Sequence, residues 1–310
     1  MQKDRKDKAL TSTERRRFLK LSAGFGITAA KIALSKNALG SEEASVQIAH
    51  KETELKAAAE YTMILGTAYS LGVSRSYPIM QLDFKENIQN TTLGKIYVQL
   101  APAGQVGASG ALARKVQKAT IQSGQCSISN FSPFVPEVDL INIPYWCSEN
   151  QKFVNLVTSN TWKNEIHPKI ESRGFKPLWY PCIDPRTLAM GKGVKEKITM
   201  PEQMRGINFR IPNSTILQRV YHHLGANPTI VEWVEAATAI RLGHVDALDP
   251  ALGALYVFGF ESLLSHITFV DIVHDAQIYF CNLEWFKRLP LALRASIDFA
   301  SEMTMRQNHA

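Results

Sequence analysis

Met204-Arg205-Gly206-Ile207-Asn208-Phe209-Arg210-Ile211-Pro212-Asn213 sets an arginine inside an otherwise apolar β-run, immediately before Ile211-Pro212. Strand alternation puts Ile207, Phe209 and Ile211 on one face and leaves Asn208 and Arg210 on the other. A guanidinium at the carboxyl end of a strand points into the crevice where open α/β sheets bind ligands. Its planar fork matches a carboxylate through two parallel hydrogen bonds. On periodicity alone, the same residue reads first as a surface arginine paired with a neighbouring Asp or Glu.

Outward from this strand the pattern repeats. The spacing predicts a helix over 214–224 closed by Gly225, a strand over 229–231, a helix over 235–242 closed by Gly243, and a strand over 245–248. Upstream, strands are expected over 62–68, 95–100 and 126–129, with a helix over 75–90. A second upstream helix carries Leu112, Val116 and Ala119 at i, i+4, i+7, and a closing helix starts at Leu289-Pro290. Strands alternating with helices mean an α/β architecture. Two such series in one chain suggest two lobes facing a cleft.

The formal charge of +7 is concentrated in one place. Residues 1–40 hold ten Lys and Arg against Asp4, Asp7 and Glu14, and the remaining 270 residues balance 25 basic with 25 acidic side chains. A neutral domain with no basic stripe lacks the footprint that phosphate backbones require, so nucleic acid is excluded as a partner. The basic head contains Glu14-Arg15-Arg16-Arg17-Phe18-Leu19-Lys20, then a mildly apolar stretch over 21–34, then Ala38-Leu39-Gly40. It is too short and too weakly apolar for a membrane-spanning helix. Arginine pair, Phe-Leu-Lys and low hydrophobicity together resemble a cleavable twin-arginine export signal ending near residue 40. The expected mature protein is soluble in the periplasm, with 41–60 as a linker or short helix. Cys126, Cys147, Cys182 and Cys281 are widely spaced and form no CxxC pair, so no metal site is expected.

Signatures of chemistry are missing. There is no nucleophile elbow, HExxH or Walker loop. Gly104-x-x-Gly107-x-x-Gly110 departs from the dinucleotide fingerprint and reads as a turn, and the adjacent His222 and His223 point in different directions on a helix. No catalytic residue and no cofactor is therefore expected. An acid/base pair beside Arg210 would have to come from Asp246 or Asp249, which read more naturally as strand-end and turn residues.

The run MRGINFRIPNSTILQRVYHHLGANPTIVEWVEAATAIRLGHVDALDP, residues 204–250, resembles the central motif of the DctP-type solute-binding subunits of tripartite ATP-independent periplasmic (TRAP) transporters. The matching points are Arg210-Ile211-Pro212, Leu224-Gly225-Ala226-Asn227-Pro228, Trp233 two residues before Glu235, Gly243 and Val245-Asp246. Upstream, Pro102 to Gly107, Phe134-Val135-Pro136-Glu137 and Ile143-Pro144-Tyr145 resemble further family segments; downstream, His266, Asn282 and Phe286 to Pro290 do so. The resemblance covers about residues 61–310. It implies a two-lobed periplasmic binding protein with the ligand cleft between lobes, one lobe of 61–185 with 275–310 and the other of 186–274. It implies capture of a small organic-acid carboxylate for TRAP membrane permease subunits, after passage through the twin-arginine export machinery. Arg210 falls on the family's carboxylate-clamping arginine, Asn213 on a polar residue beside it, Trp233 on the aromatic against the ligand, and Arg186 on a second, upstream arginine. Ser129 and Asn130 sit where the first lobe contributes contacts, and Asp249 completes the candidate ligand-binding set. Ala237 stands where the family has Tyr, Val-Asp-Gly becomes Val245-Asp246-Ala247, Gln-Glu-Asn-Pro shortens to Leu248-Asp249-Pro250, and the C-terminal helices read as shortened. A differently shaped pocket follows. The binding subunit of an ATP-driven importer and a periplasmic ligand sensor are the alternative readings.

Overall fold

The computed structural model describes residues 39–71 and 78–310. The predicted leader with Arg15 and Arg16, and residues 75–77 of the predicted first helix, lie outside the described residues. The described chain runs α1 (Leu39–Ala58), β1 (Tyr61–Thr67), α2 (Gln81–Thr91), β2 (Ile96–Ala101), α3 (Ser109–Gln117), β3 (Ser123–Ser127) and α4 (Ile128–Phe131). A 3₁₀ turn, Pro136–Asn142, precedes α5 (Asn150–Thr158), α6 (Asn160–Glu165), α7 (His167–Ser172) and β4 (Phe175–Trp179). Next come β5 (Pro185–Gly191), β6 (Asn208–Ile211), α8 (Thr215–His223), β7 (Asn227–Ile230), α9 (Trp233–Arg241), β8 (Ala247–Leu248) and α10 (Leu252–Val257). The chain closes with β9 (Leu264–His274), β10 (Gln277–Asn282), α11 (Leu283–Arg288) and α12 (Leu291–His309).

The strands form two five-stranded sheets of matching design, ordered β2-β1-β3-β10-β4 and β7-β6-β8-β5-β9. In the first, β1 pairs in parallel with β2 and β3, and β10 runs antiparallel to β3 and β4. In the second, β6 pairs in parallel with β7 and β8, and β5 runs antiparallel to β8 and β9. In each sheet the strand order reverses beside the central parallel strand, and ligands of open α/β sheets bind outside the carboxyl ends at such a reversal. The chain crosses between sheets once from β4 to β5 and once from β9 to β10. The two crossings are tied by Asp275 N–H donating to the Asp184 carbonyl at 3.0 Å.

Both faces of each sheet are covered. Phe131, Phe175 and Phe280 pack on one face of the first sheet, while Phe84, Trp179 and Tyr279 pack on the other with Leu293 and Ile297 of α12. Residues 95–100 alternate in sequence as if half-exposed, yet Ile96, Tyr97 and Val98 are all buried, because helices lie on both sides. In the second sheet Phe209 stacks on Tyr221 of α8 at 4.4 Å, and Ala236 and Ile240 of α9 meet Leu248 on the opposite face. Helix α8 ends as its sequence dictates: Gly225 has φ 86°, which lets Ala226 N–H reach the Tyr221 carbonyl at 3.0 Å.

Several boundaries differ from the sequence expectation. The predicted helix over 75–90 begins at Gln81. Strand β3 starts at Ser123 and ends at Ser127, so Ser129, expected as the last residue of the strand, stands on α4 with Asn130. Ala119 lies past the end of α3 with φ 57°. Residues 41–60, read as linker or short helix, belong largely to the twenty-residue α1. The four cysteines are all free.

Candidate functional site

The sheets face each other across a small cavity that is continuous in part with solvent. The end of β3 and the start of α4 supply one wall, with Ser127 and Asn130; the start of β5, the end of β6 and the start of α9 supply the other, with Arg186, Arg210 and Trp233. Direct hydrogen bonds link the walls. Asn213 N–H donates to Asn130 Oδ1 at 3.0 Å, Ser132 Oγ to the Asn213 carbonyl at 3.2 Å, and Ile216 N–H to Asp139 Oδ2 at 3.0 Å. Asn142 Nδ2 reaches Ser214 Oγ at 3.3 Å. The molecule is therefore closed over its cavity. Arg210, expected on the wall of an open cleft, is only 2% exposed.

Two guanidiniums share this buried space unequally. Arg186 Nη2 lies 2.8 Å from Asp275 Oδ1 and its Nη1 lies 3.2 Å from Asp249 Oδ1; Nη2 also approaches Ser127 Oγ at 3.4 Å. Burial works against its charge, but Asp275 and Asp249 hold its pKa above the ordinary arginine value. Arg210 is served differently. Its Nε donates to the Val231 carbonyl at 2.9 Å, its guanidinium lies 5.3 Å from the Trp233 ring centroid, and its nearest anion is Asp249 Oδ1, 4.0 Å from Nη1. Among the described residues neither terminal nitrogen of Arg210 has a hydrogen-bond partner. Burial, opposed by Asp249 and reinforced by Arg186, pushes its pKa down to about 10. It remains charged at neutral pH, a buried cation whose one ion pair among the described residues is the long contact to Asp249.

Trp233 is held edge-on to Phe258 at 5.0 Å and stacked on Phe260 at 5.2 Å. Opposite it runs a chain of polar side chains with a fixed direction. Thr67 Oγ1 donates to Gln125 Oε1 at 2.6 Å, Gln125 Nε2 to Gln277 Oε1 at 2.8 Å, and Gln277 Nε2 to Asp275 Oδ1 at 3.0 Å. Asp275 Oδ2 accepts from Ala251 N–H at 3.1 Å. Gln125, Gln277 and Asp275 all line the cavity.

Of the seven residues singled out from sequence, Arg210, Arg186, Trp233 and Asn130 come together at the cavity. Asp249 does not line it. Fully buried behind the arginines, it bonds Arg186 and accepts from Tyr221 Oη at 3.4 Å, so it is neither a plain turn residue nor free to serve as an acid or base; burial raises its pKa despite both arginines. Ser129 is buried one turn away and accepts from Asn142 Nδ2 at 3.0 Å. Asn213 is exposed and enters the interface through its backbone. Gln125, Gln277 and Asp275 were missed. Gln125 precedes the strand expected over 126–129, no strand is expected around Asp275 and Gln277, and Gln125 meets Thr67 and Gln277 58 and 152 positions away in sequence.

Residues 74–310 match the family described as bacterial extracellular solute-binding protein, family 7. Among curated relatives, an uncharacterized protein of Haemophilus influenzae is 22% identical over 219 residues, covering 71% of this chain and 66% of its own length. The C4-dicarboxylate-binding periplasmic protein DctP of Rhodobacter capsulatus is 21% identical over 218 residues, covering 70% and 64%. The chain thus spans just under two thirds of the curated relatives it matches. Among solved structures, a TRAP periplasmic solute-binding protein of Sulfurospirillum deleyianum with bound succinate superposes with a TM-score of 0.73 at 22% identity, covering 81% of this chain and 79% of its own. One from Polaromonas bound to D-erythronate gives 0.75 at 17%, covering 80% and 81%. These likenesses show the two-lobed fold.

Proposed function

This chain belongs to the bacterial extracellular solute-binding proteins of family 7, and from that premise we propose that it captures a small organic-acid anion and delivers it to a TRAP-type membrane permease. One observation carries the reading: Arg210 is a buried guanidinium, charged at neutral pH, and among the described residues no anion comes closer to its terminal nitrogens than Asp249 Oδ1 at 4.0 Å. A carboxylate on that fork would supply two charge-assisted bonds, with Trp233 against its flank. Relatives of the same fold carry succinate or D-erythronate, which are carboxylates. Arg186, whose nitrogens are already engaged by aspartates, acts here as a fixed positive neighbour, and Asn130 as the first lobe's contact. The lobe of 61–185 with 275–310 closes on that of 186–274, and ligand stabilises the closed state through contacts that exist only there. The ligand leaves unchanged. The chain reaches the periplasm through the twin-arginine machinery, on the strength of Arg15-Arg16 and the residues after them.

A thermal-shift screen of organic acids tests this reading, since a ligand held by the native state alone raises the melting temperature. Carboxylates should raise it, by an amount that grows with concentration, and the matching neutral alcohols should not. A panel of short organic acids without any shift would overturn the proposal.

A further inference from the structure

We propose that the cavity accepts a monocarboxylate with a neutral, hydrogen-bonding tail and rejects dicarboxylates of the same length; this rests on the carboxylate reading of Arg210. The charges around the cavity decide it. Two guanidiniums, Arg186 and Arg210, face two buried aspartates, Asp249 and Asp275, and both aspartates bond Arg186. Glu232, next to Trp233 in sequence, adds a carboxylate whose Oε2 is buried with no hydrogen-bond partner among the described residues. Arg210 is left as the one guanidinium of the pair able to take up an anion, and a single carboxylate satisfies its fork. A second carboxylate on the same ligand would then face the chain of Gln125, Gln277 and Asp275. That wall holds two carboxamides and an anion, with its nearest cation, Arg186, already bonded by two aspartates. Taking a charge out of water there without a partner is unfavourable, and the adjacent like charge adds to the cost.

A hydroxyl or keto group at the tail meets the opposite situation. The Thr67-to-Asp275 chain fixes how the glutamine amides point, because each Oε1 accepts from the preceding donor and each Nε2 donates onward. Each amide nitrogen carries two hydrogens, and Gln125 Nε2 uses one on Gln277, which leaves one for a ligand oxygen. Two residues along β3 from Gln125, Ser127 Oγ receives Arg186 and keeps its own proton to donate. The tail is thus read by donors that an oxygen-bearing neutral group can use without bringing a charge.

The test is calorimetric titration of the full chain with chain-matched pairs: 4-hydroxybutanoate against succinate, and 2,3,4-trihydroxybutanoate against tartrate. Within at least one pair the monocarboxylate should bind about 100-fold or more tightly than its dicarboxylate, the size that several kcal/mol of like-charge opposition implies. Asp275→Asn removes the opposing charge and should narrow that ratio about tenfold or more. Because it also alters the bonds to Arg186, Glu232→Gln serves as the second variant, expected to narrow the ratio in the same direction. Dicarboxylates binding as well as or better than their partners would overturn this inference while leaving the carboxylate reading intact, and so would a ratio unmoved by both variants. Binding of neither class would overturn both.

Discussion

Arg210 and Arg186 lie in one cavity, yet two aspartates lie within 3.2 Å of Arg186 while the nearest to Arg210 is 4.0 Å away. A lysine at 210 would keep the charge and lose the fork, so Arg210→Lys should weaken carboxylate binding by roughly tenfold or more, the worth of one lost charge-assisted bond; calorimetry on the best anion checks this, and unchanged affinity would show that charge alone suffices. His274 is a second residue whose environment sets a measurable property. It is fully buried, stacked on Phe153 at 4.0 Å, and burial, helped by the charge of Arg186, pushes its pKa down from 6.5 to about 3. Between pH 6.5 and 3 the unfolded chain binds a proton that the folded one refuses. Stability is therefore intact above about pH 6.5 and is lost as pH falls, by up to about 1.4 kcal/mol per pH unit from this group. Urea unfolding at pH 7, 5.5 and 4.5 should show a steeper loss in wild type than in His274→Gln, and equal slopes would contradict it.

At the scale of elements, local chemistry is legible where it is self-contained. Ser214 before Thr215 reads as a helix start and is one: its Oγ accepts from Leu217 N–H at 3.0 Å. Arg210 before Ile211-Pro212 reads as the end of a strand, and β6 does end at Ile211. What could not be read is set by packing across distance. Asp249 looks like a turn residue in Leu248-Asp249-Pro250 because nothing nearby in sequence supplies its partner, Arg186, which is 63 positions away. Gln277 and Asp275 look unremarkable because their meaning depends on β10 lying beside β3. The Ser214 cap carries a prediction of its own, since the same oxygen also receives Asn142 Nδ2 from the facing wall. Ser214→Ala should cost about 1 kcal/mol, or roughly 2–4 °C in melting temperature for a domain of this size. An unchanged melt would show that the cap contributes nothing.

Over the whole molecule, two matching α/β sheets joined by two crossings make a clamp whose cavity sits where each strand order reverses. Asp275 links the parts: its backbone N–H bonds the other crossing at Asp184, and its carboxylate holds Arg186 at the cavity. The basic head concerns the fate of the entire chain. Replacing Arg15 and Arg16 by Lys should leave uncut precursor in the cytoplasm, seen by blotting fractionated cells, whereas mature protein outside at normal yield would contradict twin-arginine export. The most direct measurement of the central claim is calorimetric titration of the best anion from the organic-acid screen into Arg210→Ala, alongside a melt. Truncating one partner of a buried charge pair costs about 2–5 kcal/mol, so affinity should fall by about 30-fold to several thousand-fold while the variant still unfolds cooperatively. Wild-type affinity in a folded Arg210→Ala protein would contradict capture of a carboxylate by this arginine.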